Sequence, residues 1–239
     1  MLSTDILVNE INFEESNKKL LEDLISYGLS LGADFIEIFL ENTDNISVLV
    51  EEDNITSVSP SFGKGAGIRI FKEKRDGFVS TNDLTRDGLI KSIDQAVEML
   101  DIEYIKKASL FEGLENQRNY SIEKSNWLDE IPAVREIGDK LLLSTKSLNK
   151  DSKVDVRKGS YARNWQKVII AASDGTFAKD IRLHQTVGLN LIANDRQYRS
   201  SGSRRFGSTD NPQDLRKWDH EKASNDVFES SMNMLYADY

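Results

Sequence analysis

The stretch that most constrains the fold runs from residue 65 to residue 84, where two strand patterns flank a short charged turn. Ile68, Ile70 and Phe78 alternate with polar neighbours, as expected for half-buried strands. The turn ends at Gly77, which we expect to take the positive φ that tight turns often require. A connection this short joins antiparallel strands, because parallel pairs need a long crossover. The stretch therefore predicts a β-hairpin.

Helix patterns follow the hairpin and occur elsewhere in the chain. Thr85 is placed to accept a hydrogen bond from a first-turn backbone N–H, and apolar residues recur at helical spacing from Leu89 to Leu100. An earlier helical stripe ends at Gly32, a residue type common just past a helix C-terminus. The predicted helices cover 13–31, 85–100, a segment after Pro132, and 223–235.

Strand patterns bounded by turn residues fill most of the remaining chain. The order helix, strands, helix occurs twice, and residues 206–210 resemble residues 78–82, which favours an internal duplication. We predict an α+β fold of mostly antiparallel sheets flanked by helices, with a duplicated helix–strands–helix unit. Besides the hairpin, the predicted strands are 34–41, 45–51, 54–58, 154–164, 167–172, 176–181, 187–193 and 198–206, with a turn at 173–175.

Composition limits the classes of function. The net charge of −9 argues against broad binding to nucleic acid or anionic membranes, which depends on clustered lysine and arginine. The absence of cysteine excludes disulfides and thiolate metal sites. The chain start has no basic and apolar leader pattern, and no run of 18 apolar residues occurs. We therefore expect a cytoplasmic protein that contacts neither membrane nor nucleic acid.

A family resemblance rests on the run from Gly77 to Thr85, GFVSTNDLT, and on Gly67-Ile68-Arg69-Ile70 before it. These residues resemble the amino-terminal domain of the TldD/PmbA family of metallopeptidases, also described as modulators of DNA gyrase. The resemblance is dense from residue 32 to residue 100 and thinner to the end, and the Asn-Asp-Leu ending is closer to the TldD branch. It implies that the motif residues are cleft or partner contacts, namely Arg69, Gly77, Phe78, Ser80, Thr81, Asn82 and Asp83.

Histidine content bears on the zinc chemistry that this resemblance implies. The family enzymes use a helical His-Glu-x-x-x-His motif, but this chain has only His184 and His220. His220-Glu221 is followed by Asn225 where the second histidine would stand. One histidine and one glutamate do not complete a catalytic zinc site, which takes three protein ligands. We expect no catalytic or metal-binding residue and no cofactor in this chain, with zinc only in the full-length family enzyme, and we interpret His184 as a strand residue.

One basic cluster contains aromatic residues and remains open to two interpretations. It consists of Arg196, Arg199, Arg204 and Arg205, with Tyr198 and Phe206 among them. Bidentate arginine contacts could bind phosphates or the carboxylates of an acidic peptide. The favoured interpretation is an edge strand whose charges oppose aggregation.

The resemblance also implies an organisation and a role. We expect a TldD/PmbA-like amino-terminal domain at 1–102, a linker at 103–126, and a second α/β segment at 127–239 that leads toward a zinc-peptidase half absent from this chain. The chain would be the amino-terminal portion of a TldD-type zinc metallopeptidase, short or truncated and inactive alone, acting in proteolysis of unfolded peptides. Expected partners are a TldE/PmbA-like protein or a second copy. The alternative is a free-standing peptide- or partner-binding regulatory module, so enzyme status stays open.

Overall fold

A computed structural model describes residues 10–13, 17–100, 111–114, 116–119, 132–209 and 211–237. Its helices are α1 (Lys18–Ser30), α2 (Arg86–Glu98), α3 (Val134–Ser147) and α4 (His220–Leu235), with a 3₁₀ turn at Asp214–Lys217. Its strands are β1 (Phe35–Glu51), β2 (Asn54–Lys72), β3 (Arg75–Thr81), β4 (Asn116–Asn119), β5 (Val154–Ala172), β6 (Thr176–Asn194) and β7 (Arg199–Thr209).

The strands form a mostly antiparallel sheet, which confirms the predicted α+β class. Their order is β3-β2-β1-β5-β6-β4, and β7 also pairs with β6. Strands β2 and β3 are antiparallel with Arg69 opposite Phe78, and β6 and β7 are antiparallel with Gly188 opposite Arg205. The short strand β4 pairs with β6 in parallel.

Four strands are far longer than the sequence patterns predicted. Strands β1, β2, β5 and β6 contain 17 to 19 residues each, where the patterns indicated shorter strands separated by irregular residues. The apolar alternation breaks near residues 43, 62, 165 and 181, where each strand leaves one compact unit and enters another. The polar residues at these points do not interrupt the backbone ladder, so the prediction of separate strands was wrong.

The first unit comprises residues 1–43, 63–122 and 166–181. Helices α1 and α2 belong to it, and Tyr27 donates a hydrogen bond of 2.7 Å to Asp94 between them. Alternate residues of β1 and β2, among them Ile36, Ile38 and Ile70, are fully buried in its core. An amphipathic sheet face covered by two apolar helix stripes accounts for this unit.

The second unit comprises residues 44–62, 123–165 and 182–239. Its core combines β-strand residues such as Val50 and Leu191 with Leu141 of α3 and Val227 of α4. Ser224 of α4 donates to a carbonyl of α3, so the two helices lie side by side.

The observed element order supports the predicted repeat. Helix, long hairpin, third strand and helix occur once as α1-β1-β2-β3-α2 and again as α3-β5-β6-β7-α4. The two similar five-residue stretches fall at the ends of β3 and β7, although residue 210 lies outside the described residues. The predicted boundaries at 102 and 127 stay a prediction, and most of the predicted linker lies outside the described residues.

Several local predictions are confirmed and one is wrong. Gly32 and Gly175 have positive φ angles of 99° and 89°, as expected at a helix end and a turn. Thr85 accepts the Gly88 N–H at 3.1 Å and so caps α2. Gly77, however, lies inside β3, and Glu73 takes the positive φ of 53° in the turn. The turn is therefore two residues long and lies before the position expected from the glycine.

Candidate functional site

The motif hairpin has a helix-facing side on which Gly77 is required by packing. A Cβ atom at Gly77 would lie 2.6 Å from the carbonyl oxygen of Ala96 in α2 and 3.3 Å from the Leu100 side chain. Gly77 is itself buried. If residue 77 had a side chain, the α2 backbone could not approach β3 this closely, so the glycine sets the distance between β3 and α2.

The opposite side of the hairpin carries an exposed aromatic ring. Phe78 is 57% exposed, and its ring lies over Gly67 of β2, 3.0 Å from where a Cβ would stand. Arg69, its cross-strand neighbour, donates two hydrogen bonds to Asp76 at 3.0 and 3.1 Å. The Arg69 guanidinium also lies 4.6 Å from the centre of the Phe71 ring. Arginine and phenylalanine therefore form an ordered, solvent-facing surface.

The end of the motif is a capping network for α2. Asp83 accepts hydrogen bonds from the Thr85 hydroxyl at 2.6 Å and the Thr85 N–H at 3.1 Å, while its own N–H donates to Thr81 at 3.0 Å. The Thr85 hydroxyl and backbone hydrogen bonds lower the pKa of the Asp83 carboxyl below its usual value. A side chain at Gly88 would collide with this carboxylate.

These contacts give structural reasons for Arg69, Gly77, Thr81 and Asp83. Ser80 and Asn82 are exposed. Partner or cleft contact by the motif residues remains a prediction.

The four arginines of the basic cluster are spread along one hairpin rather than gathered. Arg196 lies in the β6–β7 turn with a φ of 79°, and Arg199 begins β7, 4.0 Å from Asp155. Arg205 is six residues further along β7, or roughly 20 Å at the usual rise of a strand. Arg204 lies 3.8 Å from Asp226 of α4. Arg204 and Arg205 are neighbours in the sequence, and both border the cavities described next.

Two cavities adjoin Arg204 and Arg205, and neither was predicted from the sequence. The larger has a volume of about 630 Å³ and includes residues of β1, β5, β6 and β7. The smaller, of about 320 Å³, lies between β7 and the start of α4. The larger cavity joins residues more than 100 positions apart and the smaller joins residues 187–189 to residues 217–226, so no local pattern could reveal them.

The two histidines do not fit a zinc site. His184 is exposed on β6, with Nδ1 3.4 Å from the Thr209 hydroxyl, in agreement with its interpretation as a strand residue. His220 is the first residue of α4, and its ring centre lies 6.1 Å from that of Trp218. Among the described residues no three histidine, aspartate or glutamate side chains are grouped to hold a metal ion.

The described part of the chain is an α+β structure of two helix–strand units. Residues 36–100 match the PmbA/TldA metallopeptidase domain 1, and residues 92–230 match the central domain. The chain belongs to the PmbA/TldA (TldD) metallopeptidase family. The predicted family is therefore confirmed.

Individual relatives show the same likeness. The chain is 24% identical over 196 residues to metalloprotease MJ0996 of Methanocaldococcus jannaschii, covering 80% of this chain and 42% of that protein. A protein from Bacteroides thetaiotaomicron described as a modulator of DNA gyrase superposes with a TM-score of 0.71 at 15% identity, covering 92% of this chain and 50% of that one. TldE from Thermococcus kodakarensis superposes with a TM-score of 0.70 at 19% identity, covering 89% of this chain and 47% of that one.

The chain thus spans about half the length of the relatives it matches. At these identities the solved structures show the fold alone. Within the described residues, no helix is long and apolar enough to cross a membrane.

Proposed function

We propose that this chain is the amino-terminal and central portion of a TldD-type zinc metallopeptidase that acts on unfolded peptides in the cytoplasm. The main support for this proposal is the match to two consecutive family domains over residues 36–230, in a sequence without the His-Glu-x-x-x-His motif. In this proposal the chain binds and orients peptide, and the zinc-dependent step is carried out by residues outside this sequence.

The exposed first half of β2 supports a role in capturing extended chains. Strand β3 pairs with β2 only over residues 66–72, so residues 54–65 extend beyond it. Val58 and Phe62 in this half are 52% and 74% exposed. An exposed apolar strand edge is a template for adding another strand, which is how many domains bind unfolded peptide. The same surface is available to a TldE-like partner or to a second copy.

The net charge of −9 favours a protein or peptide ligand over nucleic acid. We therefore propose no DNA contact by this chain, although one structural relative is described as a gyrase modulator.

The test is peptidase activity on an unfolded peptide, with zinc measured on the same sample. We expect no bound zinc and no cleavage by the chain alone, and chelator-sensitive cleavage when these residues are part of a zinc-motif-containing TldD assembled with a TldE-like partner. The double variant His184→Ala, His220→Ala should leave that cleavage unchanged. Stoichiometric zinc with cleavage by the chain alone would overturn the proposal.

The alternative regulatory module predicts a different result in the same assay. Added to a complete TldD-type enzyme, a free-standing module would inhibit cleavage by competing for peptide or partner. Inhibition without any contribution to cleavage in the assembly would favour that alternative.

A further inference from the structure

Strand β7 has a free edge within the described part of the chain. It pairs with β6 along its whole length, and no other described strand pairs with it. Gly202 lies against the α4 backbone, and Ser200 donates to Ser231 of α4 at 2.8 Å, so even-numbered residues of β7 face α4. By strand alternation, Arg204 faces α4 and Arg205 faces the opposite side.

The larger cavity lies on the side of the sheet to which Arg205 belongs. Small side chains border it, including Ser160 and Gly188, where an added Cβ would stand 2.9 Å from the Ser160 hydroxyl. Asn190 and Ser203 add hydrogen-bonding groups. Lys158 on its border is already paired with Glu51 at 2.7 Å. Arg205 has neither an ion pair nor a side-chain hydrogen bond with the residues described.

The smaller cavity lies on the α4 side of the same strand position. Its apolar surface comes from residues such as Phe206, Trp218 and Ala223. Arg204, Lys222, Asp219 and Asp226 also line it. Arg204 lies 3.8 Å from Asp226, whereas the Lys222 ammonium is unpaired among the described side chains. The combination suits an apolar side chain flanked by negative charge.

We propose that an extended acidic peptide segment adds to the edge of β7 at residues 203–206 and places successive side chains in the two cavities. An added strand directs alternate side chains to opposite faces, and the cavities occupy opposite faces at one strand position. An acidic side chain lies beside Arg205, and its neighbour inserts an apolar side chain next to Ala223. The Arg204 guanidinium, which donates to the Ser203 carbonyl at 3.0 Å, gives way to a peptide N–H.

This inference rests on the proposed function: it adds the edge of β7 as a peptide-binding site beside that of β2, and it specifies the substrate class as alternating acidic and apolar sequence. The charges of Arg205 and Lys222, which are unpaired among the described side chains, favour an acidic peptide at this position of β7.

The test is fluorescence anisotropy with a short labelled peptide of alternating glutamate and valine, and with its lysine-for-glutamate counterpart. We expect the 239-residue chain to bind the glutamate peptide and not the lysine peptide. Arg205→Glu should weaken binding by about tenfold or more and permit binding of the lysine peptide, because close charge pairs set specificity. Ala223→Trp should weaken binding similarly by filling the smaller cavity.

Arg135→Glu is the matched control, since it changes net charge equally from a 93% exposed side chain on α3. It should alter affinity by less than about twofold, because salt screens distant surface charges. Circular dichroism checks that each variant is folded. Methylation of alternate backbone nitrogens of the peptide should abolish binding by removing strand hydrogen bonds.

Equal binding by the Arg205→Glu and Arg135→Glu variants, no binding of the glutamate peptide, or full binding of the methylated peptide would each overturn this inference. If the peptide binds equally well to the β7 variants and the wild type, this inference fails but the proposed function is unaffected. If binding depends on Arg205 but the assembled enzyme cleaves no peptide, only the proposed function is overturned.

Discussion

At the scale of single residues, Arg157 of β5 holds the tip of the first long hairpin. Its side chain is only 7% exposed and contacts Glu52 at 2.7 Å and Asp53 at 3.1 Å. It also donates to the carbonyl of Thr145 in the last turn of α3 at 3.1 Å. One guanidinium therefore connects a turn, a strand and a helix of the second unit through charge-assisted hydrogen bonds.

We predict that Arg157→Met lowers the free energy of unfolding by about 2 kcal/mol, since a buried cation with several hydrogen bonds is lost while its two carboxylates remain partly hydrated. Urea unfolding measures the change. The control is Lys158→Met, which removes the half-exposed pair with Glu51 and should cost less than about 0.5 kcal/mol. Equal losses of unfolding free energy in the two variants would contradict the role of Arg157 in connecting the turn, the strand and the helix.

The sequence could not distinguish these two neighbours. Arg157 and Lys158 are adjacent cations in one strand pattern, and local alternation says only that they face opposite sides. Which side is covered depends on α3 and on a turn about 100 residues earlier. The capping role of Thr85 was predictable, because its partner is three residues away.

At the scale of elements, each repeat contains a strand glycine beneath the helix that follows. Gly77 of β3 lies against the carbonyl of Ala96 in α2, and Gly202 of β7 lies against the carbonyl of Val227 in α4. Gly207 of β7 differs, because the nearest atom to an added Cβ is 3.7 Å away. Both repeats therefore have a close contact between the third strand and the helix that follows, but the glycine stands at a different position along the strand in each.

We predict that Gly77→Ala and Gly202→Ala each cost about 2 kcal/mol of stability, because an added methyl group overlaps helix backbone that cannot move freely. Gly207→Ala should change stability by less than about 0.5 kcal/mol. Thermal unfolding of the three variants checks the order. A neutral Gly202→Ala variant would show that α4 is free to move away from β7.

Element boundaries show which physical information the sequence carries. The Thr85 helix cap and the turn at residues 173–175 were predicted because their hydrogen bonds join residues within four positions of each other. Strand lengths were not, because continuity through polar residues such as Asp44 depends on partners across the sheet: Asp44 pairs with Arg163 at 2.6 Å. The cavities beside β7 needed the same long-range information.

At the scale of the whole molecule, β1, β2, β5 and β6 each continue from one compact unit into the other, so we expect the two units to unfold together. We predict that Leu89→Ala, in the buried face of α2 in the first unit, shifts the tryptophan fluorescence transition. The described tryptophans, Trp165 and Trp218, both belong to the second unit. The variant should lose about 2–5 kcal/mol of unfolding free energy, as is usual when a large core side chain is replaced by a small one.

Circular dichroism, which reports on the whole chain, should give the same midpoint as fluorescence in the wild type and in the variant. An unchanged tryptophan transition beside a two-step circular dichroism curve would show instead that the units unfold independently.

The pairing of β1 with β5 has a consequence during protein synthesis. Lys158 of β5 contacts Glu51 of β1, and Asn164 contacts Asn45, so β1 needs a partner that lies more than 100 residues later in the chain. At translation rates of about 5–20 residues per second, the nascent hairpin waits roughly 5–20 s at the ribosome with one edge unoccupied. Val48 and Val50 are buried in the finished protein, and we expect them to face water until β5 has been made. We therefore expect folding yield in the cell to depend on chaperones that bind the newly made hairpin.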